Sequence, residues 1–290
     1  MFRGRFMGAF MDITSAPLEQ ALVRLSDGHM MPQLGFGVWQ VPAVEASSLV
    51  ADAIGAGYRA IDTAMIYRNE EGVGEGIARG SVPRDQIFLT TKLWNDDQGY
   101  DTTLAACEAS LKRLGLEQID LYLMHWPAPA RDRYVDSWKA MVRLQAEGRV
   151  RSIGVSNFLP EHLDRIIGET GVTPVLNQIE LHPRFQQRDL RAYHADHGIW
   201  IESWSPLGQS TILNDPVIAG ITRKHGRTPA QIVIRWHLDQ GIITIPKASD
   251  RGHMVDNLAV GGFALDAGDM AAIAKLDAVD GRIGQHPAIV

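Results

Sequence analysis

The sequence predicts an α/β protein of the (β/α)8 barrel class, with a β-hairpin before the first barrel strand. Short apolar runs of β-like composition alternate with segments of helical spacing, a pattern typical of parallel strands joined by right-handed crossovers. Seven of these runs end at intervals of 23 to 41 residues, and eight such units fit within the 290 residues. An open, doubly wound sheet is the alternative, because the sequence does not show closure.

The predicted elements follow one another in a regular order. The stretch VRLSDGHMMPQLGFG predicts a hairpin with Asp27-Gly28 as its turn. Eight β-like runs are expected near residues 35–38, 58–62, 87–91, 119–124, 151–155, 175–179, 199–204 and 242–245. Several of the helical segments between them end in glycine, a helix stop signal. Since no linker divides the chain, we expect one domain over residues 19–290, preceded by a loose extension over residues 1–18.

Composition narrows the classes of function. With 45% hydrophobic and 21% charged residues the chain can bury a large core, and a net charge of −6 without basic tracts argues against nucleic acid or membrane as a partner. No apolar run is long enough to span a bilayer. Cys107 is the single cysteine, so no intramolecular disulfide forms, which suits the cytosol. We expect a cytoplasmic monomer that acts on a small molecule and holds no metal.

Four polar residues stand at or near predicted strand ends: Asp62, Tyr67, Lys92 and His125. Active sites of such barrels lie at the carboxyl ends of the strands, so these side chains are expected to meet. A phenol has an ordinary pKa of about 10, and a nearby cation such as Lys92 lowers it toward the range useful for proton donation. Asp62 would hold that cation, and a neutral His125 would orient a carbonyl oxygen. Alone, each residue has a structural explanation; their convergence favours catalysis.

Seven stretches, in order along the chain, carry a resemblance to a known family. They are DTAMIYRNEEGVG (62–74), LTTKLWN (89–95), DLYLMHWP (120–127), IGVSNF (153–158), NQIELHP (177–183), SWSPLGQ (203–209) and IPKAS (245–249). From about residue 20 to the end, the chain resembles the aldo-keto reductase family, closest in pattern to bacterial 2,5-diketo-gluconate reductase-like members. The resemblance implies a (β/α)8 barrel of the TIM type that binds NAD(P)H and reduces aldehydes or ketones, with Asp62, Tyr67, Lys92 and His125 as the catalytic residues.

A proton donor facing a carbonyl also needs a hydride, which no side chain supplies, so a nicotinamide cofactor is expected. No Rossmann fingerprint is present, since no strand leads into GVGEG at residues 72–76. The resemblance implies Ser156, Asn157 and Gln178 for the carboxamide, Trp204 for ring stacking, Ser205, Leu207, Gly208 and Gln209 for the pyrophosphate, and Lys247, Ala248, Ser249, His253, Asp256 and Asn257 for the adenosine end. A core position explains Trp204 equally well.

The adenosine end departs from the family pattern. Ala248 replaces the usual serine, and His253 replaces the usual arginine, which would grip a phosphate bidentately. Lys247 remains as a point charge, so we expect NADPH as the cofactor with unusual tolerance of NADH.

The substrate side is expected to be apolar. Trp39, Trp94 and Trp126 follow predicted strand ends and would surround the carbonyl, although packing at the barrel rim is an alternative. The short tail after Asp280 suggests an open, permissive site. HADH at 194–197 predicts a solvated helix face rather than a metal site. Rival interpretations are a cofactor-binding regulatory barrel with little turnover and an isomerase or aldolase with Lys92 as a Schiff base; the latter leaves Tyr67 unexplained.

Overall fold

A two-stranded hairpin covers one end of the molecule. In the computed structural model, which describes residues 21–290, β1 (Leu22–Arg24) pairs antiparallel with β2 (Met30–Pro32). Gly28 in the turn between them has a φ of 92°, which glycine adopts without strain. Val23 and Met31 are buried against Phe88 and other residues near the starts of barrel strands. The predicted hairpin and its turn are confirmed, and the hairpin closes the amino-terminal end of the barrel.

Eight parallel strands follow, hydrogen-bonded in chain order. They are β3 (Phe36–Gly37), β4 (Ala60–Asp62), β5 (Phe88–Leu93), β6 (Ile119–Met124), β7 (Val150–Ser156), β8 (Leu176–Glu180), β9 (Trp200–Trp204) and β10 (Ile243–Thr244). A parallel bridge between Leu34 and Thr244 joins the last strand to the first, and Gly35 N–H donates to Thr244 C=O at 2.9 Å. The sheet is therefore a closed barrel, and the open-sheet alternative is excluded.

The helices surround this barrel. They are α1 (Ala43–Ala56), α2 (Glu70–Arg79), α3 (Tyr100–Leu114), α4 (Tyr134–Ala146), α5 (Pro160–Thr170), α6 (Arg188–His197), α7 (Pro216–His225), α8 (Pro229–Leu238), α9 (Arg251–Leu258) and α10 (Ala267–Ala274). Left-handed glycines follow several of them, as the sequence predicts; Gly115 after α3 and Gly226 after α7 have φ values of 67° and 62°.

The glycine-rich stretch GVGEG lies within α2, where it permits close packing. A Cβ at position 72 would lie 2.8 Å from Ala46 Cβ, and one at position 74 would lie 2.1 Å from the carbonyl oxygen of Leu114. These glycines therefore let α2 approach α1 and α3 to a distance that side chains forbid. The structure explains them by packing and gives no indication of phosphate binding.

Buried side chains on the outer face of the sheet pack against the helices. Cys107 is buried in this core, as expected for a small apolar residue. His194 is fully buried, and its Nε2 lies 2.9 Å from Asn177 Nδ2, so the predicted solvated face is wrong at this position because the histidine accepts a hydrogen bond from β8. His197, one turn on, is exposed.

Two predictions concern the chain as a whole. The predicted extension over residues 1–18 lies outside the described residues, and the single domain over residues 19–290 stays a prediction. Within residues 21–290, no helix is long and apolar enough to cross a membrane.

Candidate active site

A cavity of about 880 Å³ opens at the carboxyl ends of the barrel strands. Its walls combine tryptophan rings with a small number of polar groups, which is the usual composition of a small-molecule site. The sequence-predicted residues that line it are Trp39, Asp62, Tyr67, Trp94, His125, Trp126, Ser156, Asn157, Gln178, Trp204, Ser205, Leu207, Gln209 and Lys247. Side chains predicted at or after the ends of all eight barrel strands thus share one cavity.

A buried ion pair lies at the bottom of this cavity. Lys92 is fully buried in β5, and its Nζ donates to Asp62 Oδ1 at 2.6 Å and to the carbonyl oxygen of Thr63 at 2.8 Å. Burial lowers the pKa of Lys92, but the charge of Asp62 and the hydrogen bond to it raise the pKa above its ordinary value. Lys92 is therefore a fixed cation. The strand continues to Leu93, so Lys92 lies inside the barrel wall and not beyond it.

Tyr67 lies above this cation on the 3-10 turn Met65–Tyr67. Its ring centroid is 5.3 Å from Lys92 Nζ and 5.9 Å from the centre of the His125 ring. Burial raises the pKa of Tyr67, the Lys92 charge lowers it, and Asp62 raises it, with a net value above the ordinary one. Lys92 lowers the pKa of Tyr67, as expected, but the increase caused by burial is larger. Tyr67 therefore keeps its proton throughout the physiological range.

His125 follows β6 and is surrounded by aromatic rings. Its ring centroid is 5.2 Å from that of Trp94, with an interplanar angle of 79°. Burial, and then the Lys92 charge, lower the pKa of His125 well below its usual value. Its Nδ1 is buried and has no hydrogen-bond partner within residues 21–290. His125 is therefore a neutral imidazole, as the sequence analysis expected.

Asn157 connects the histidine to the tryptophan on the opposite wall. Its Nδ2 donates to the carbonyl oxygen of His125 and to Ser156 Oγ, both at 3.0 Å, and its Oδ1 accepts from Trp204 Nε1 at 2.9 Å. Ser156 Oγ in turn donates to the backbone oxygen of Gln178 at 2.8 Å. Both amide protons of Asn157 and the hydroxyl proton of Ser156 are thus used within the protein. Asn157 also has a φ of 63°, a strained value for this residue.

Gln178 joins the ion pair to a second carboxyl group that the sequence analysis missed. Its Nε2 donates to Asp62 Oδ2 at 2.9 Å and to Glu202 Oε2 at 2.6 Å. Glu202 is fully buried in β9. We refer to Asp62, Lys92, Gln178 and Glu202 as the barrel-centre cluster. Glu202 was predictable in part, since it lies two residues before Trp204 and alternate residues of a strand share a face.

The three tryptophans predicted for the substrate side lie around the same cavity. Trp39, Trp94 and Trp126 all line the cavity, and Trp39 is 41% exposed at its mouth. The exposed Trp39 gives the entrance an apolar edge that is available to a ligand.

The residues predicted for the adenosine end lie in three kinds of place. Lys247 lines the cavity, whereas Ala248 is buried in the hydrophobic core and Asn257 is buried in α9. The others, which do not line the cavity, are exposed: Ser249, His253 and Asp256. We refer to Lys247 together with residues 248–257 as the α9 rim.

At the α9 rim, His253 has an acidic partner. Its Nδ1 is 2.6 Å from Asp250 Oδ2, and its backbone N–H donates to Asp250 Oδ1 at 3.0 Å. Asp250 is therefore the N-cap of α9 and also a negative charge beside the residue that replaces the usual arginine.

The carboxy-terminal tail is held over the cavity by a second missed carboxylate. Buried Glu180, at the end of β8, accepts from the backbone N–H groups of Ile283 at 2.6 Å and Gly284 at 2.8 Å. Ile283 and Gly284 line the cavity, and a Cβ at position 284 would lie 2.5 Å from Trp204 Cη2. The tail is short but anchored, a feature that its length alone did not indicate. Glu180 shares a strand face with Gln178, which was the available signal.

Comparisons with known proteins agree with this architecture. Residues 31–278 match the model of the Aldo/keto reductase family. An aldo-keto reductase of Mycolicibacterium smegmatis is 53% identical over 91% of this chain and 96% of its own length. A protein of Salmonella typhimurium named methylglyoxal reductase DkgA is 53% identical over 92% of this chain and 96% of its own length. The chain belongs to the aldo/keto reductase family.

Solved structures show the same fold. The crystal structure of Gox0644 in its apo form has 55% identity and a TM-score of 0.90, covering 92% of this chain and 97% of that one. A mutant of Gox0644 solved in complex with NADPH has 54% identity and a TM-score of 0.91, covering 93% and 98%. A Bombyx mori aldo-keto reductase in complex with NADP has 35% identity and a TM-score of 0.83, covering 89% and 92%. The predicted (β/α)8 class and family are both confirmed.

Proposed function

We propose that this chain reduces aldehydes and ketones to alcohols with NADPH. The observation that carries the proposal is the position of Tyr67 between the Lys92 cation and the neutral His125, at the bottom of an apolar cavity. A protonated phenol beside a fixed cation can donate its proton and be stabilised as a phenolate. Family membership and the NADPH and NADP complexes of similar proteins support the same reaction.

Each residue near the reacting carbonyl has a separate role in this proposal. Tyr67 donates the proton, and Lys92, held by Asp62, stabilises the phenolate that remains. His125 orients the carbonyl oxygen through a neutral N–H group. The nicotinamide, when bound, supplies the hydride. The apolar walls of Trp94 and Trp126 exclude water from the oxygen on which charge develops.

The residues present fit a nicotinamide cofactor. Gln178 Oε1 faces the cavity without a partner within residues 21–290, and it can accept from the carboxamide N–H. Trp204 offers an aromatic face, and Lys247 offers a cation for phosphate. We propose that Ser156 and Asn157 contribute mainly by holding His125 and Trp204 in place, because their protons are already used.

Small, reactive carbonyls are the proposed substrates. The names of the Salmonella typhimurium and Escherichia coli relatives point to methylglyoxal, and the aromatic lining of the cavity suits α-keto carbonyls and keto sugars without choosing between them. The three tryptophans support this class, since they offer flat apolar surface and few hydrogen bonds to a substrate.

Replacing the phenol tests the proposal. Tyr67→Phe is expected to lower kcat by about 10²–10⁴-fold while NADPH still binds, since only the proton donor is removed. NADPH oxidation with methylglyoxal, α-keto esters and diketo sugars gives kcat, and fluorescence quenching gives the dissociation constant. Undiminished turnover in Tyr67→Phe would refute the assigned acid. Binding of NADPH without turnover of any carbonyl would favour the rival, a regulatory barrel.

Cofactor choice is a separate proposal: NADPH with good tolerance of NADH. It is supported by Lys247, which lines the cavity as a point charge, and by the Asp250 carboxylate beside His253. Comparing kcat/KM for the two cofactors tests it, and a preference above about a thousand-fold, or roughly 4 kcal/mol, for either one would contradict dual use.

We further propose that the protein is a cytoplasmic monomer. The net charge of −6 and the single buried cysteine support this. Light scattering of the purified full chain at micromolar concentration tests the monomer, and a mass of two chains would overturn it.

A further inference from the structure

One buried carboxyl group of the barrel-centre cluster has no role in the proposed chemistry. Glu202 is fully buried, and Gln178 is its Cα partner on the adjacent strand. Glu202 Oε2 accepts from Gln178 Nε2 at 2.6 Å, while Glu202 Oε1 has no hydrogen-bond partner within residues 21–290. A buried carboxyl group that is only half satisfied costs free energy, so its presence beside the cavity requires an explanation.

The explanation lies in the direction of the Gln178 amide. Both of its N–H bonds are directed at carboxyl oxygens, those of Asp62 and Glu202. The reverse orientation would place Gln178 Oε1 against Asp62 Oδ2, and electrostatic repulsion between the amide oxygen and this carboxylate excludes it. The carbonyl oxygen of Gln178 is therefore the part of the amide that remains for the cavity.

We propose that Glu202 is a positioning residue: together with Asp62 it holds the Gln178 carbonyl toward the cavity, so that the site requires a hydrogen-bond donor on the nicotinamide substituent. This inference rests on the proposed function, since it concerns how the same cofactor is recognised. A primary carboxamide supplies the donor. A methyl ketone in its place leaves the Gln178 oxygen unpaired, and that loss discriminates against it.

The charge state of the cluster is compatible with this role. Burial and then repulsion from Asp62 raise the pKa of Glu202 to about 8, whereas the Gln178 hydrogen bond and Lys92 lower it. The titratable groups that act on Glu202 or respond to it are Asp62 from β4, Lys92 from β5 and Tyr67 from the turn after β4. Glu202 is mostly neutral at pH 7, and a neutral carboxyl still accepts a hydrogen bond through its carbonyl oxygen.

Binding of two cofactors tests the proposal without turnover. NADPH and its reduced 3-acetylpyridine analogue differ only in carboxamide against methyl ketone, and quenching of tryptophan fluorescence at pH 7 gives both dissociation constants. The wild-type protein is expected to bind NADPH at least about tenfold more tightly, the equivalent of one lost hydrogen bond. Glu202→Met, which has similar bulk but no oxygen acceptor, is expected to discriminate less than about threefold. Glu202→Gln keeps an oxygen acceptor and should restore the wild-type ratio.

Every outcome bears on the proposal. A Glu202→Met protein with the wild-type ratio would show that Asp62 alone orients the amide, and would overturn the role of Glu202. Lack of discrimination in the wild-type protein would overturn it even if Glu202→Met does not fold. Failure of the wild-type protein to bind either cofactor would instead contradict the proposed function, so the two failures are distinguishable.

A second measurement uses the cofactor-free protein. Between pH 4.5 and about 8, the folded protein holds a proton on Glu202 that an unfolded glutamate has lost, so this group's contribution to stability decreases as pH rises. Urea unfolding across this range is expected to show the decrease in the wild-type protein and a smaller one in Glu202→Gln. Equal slopes would show that Glu202 is not held in the buried position against Gln178, which would overturn its positioning role.

Discussion

The barrel-centre cluster and the α9 rim, which we propose act on the same cofactor, are built in opposite ways. In the cluster, Asp62, Lys92 and Gln178 are buried on strands and bonded to one another, so their geometry is set by the barrel. At the rim, His253 is 71% exposed in its side chain and its acidic partner Asp250 is 54% exposed. If the proposed roles hold, the comparison teaches that the chemistry lies where the fold is rigid, and the cofactor preference lies where a substitution costs little stability.

Breaking the ion pair of the cluster should have the largest effect. Lys92→Met leaves Asp62 as an uncompensated buried charge, which is expected to lower the free energy of unfolding by about 3–5 kcal/mol and to abolish carbonyl reduction. Urea unfolding measures the free energy of unfolding, and NADPH oxidation measures carbonyl reduction. The matched control is Arg143→Met, which breaks an exposed pair with Glu147 and should leave both unchanged. If Lys92→Met has wild-type stability, the ion pair does not hold the barrel-centre cluster in place.

A buried histidine on the outer face of the barrel, His194, predicts a pH effect of intermediate size. Burial, and then the His197 charge, lower the pKa of His194 from 6.5 to about 4. The unfolded chain therefore binds more protons in this range, so stability falls as pH decreases from 6.5 to 4, by roughly 3 kcal/mol. Urea unfolding at several pH values measures it. His194→Gln should reduce the slope, and His197→Gln should reduce it less, because it removes only the smaller cause of the shift. Identical slopes in all three proteins would contradict the assignment.

The anchored tail predicts a smaller effect, confined to ligand binding. In Gly284→Ala the new methyl group would lie 2.5 Å from Trp204 Cη2 and 3.1 Å from Glu180 Oε2, so the tail or the ring must move. We expect KM for the carbonyl to rise about tenfold, or about 1.4 kcal/mol, with less change in kcat. Gly220→Ala in α7 is the control, since no atom lies within 4 Å of its added Cβ. Equal KM values in the two variants would mean that the tail does not shape the site.

Removing one charge from the rim should have the smallest effect. Asp250→Asn keeps an N-cap acceptor for α9 but removes the carboxylate beside His253. The ratio of kcat/KM for NADPH to that for NADH is expected to rise about threefold, because a phosphate is repelled less. Asp266→Asn at the N-cap of α10 is the control. A ratio that falls, or that changes equally in both variants, would contradict a role for Asp250 in cofactor choice.

Much of the fold followed from local patterns. The run predicted at 119–124 is the observed strand β6, and other runs differ at their ends, as where β5 continues to Leu93 and places Lys92 within the wall. Register between strands decides such details, and no single strand contains that information. The fold class was predictable because the alternation of strands and helices is visible in the local sequence pattern.

The site was predictable where a residue has an unusual chemistry for its position. Tyr67 and Lys92 were identifiable in this way, and the structure places Lys92 Nζ 5.3 Å from the centre of the Tyr67 ring. Glu202 and Glu180 were indicated only by their spacing of two residues from Trp204 and Gln178, and a glutamate more often lies at the surface. Only the three-dimensional arrangement shows that Glu202 lies against Gln178 and Glu180 against the tail.

The place where the barrel closes has a consequence for the lifetime of the protein. The first and last strands are joined by few bonds, among them Gly35 N–H to Thr244 C=O at 2.9 Å and Gly37 N–H to Pro246 C=O at 3.3 Å. The cavity has Gly37 on one side of this junction and Pro246 and Lys247 on the other. A ligand that touches both sides acts as a removable crosslink between the two ends of the fold. A bound ligand would therefore lower the population of molecules opened at this junction, which is the form that a protease cleaves.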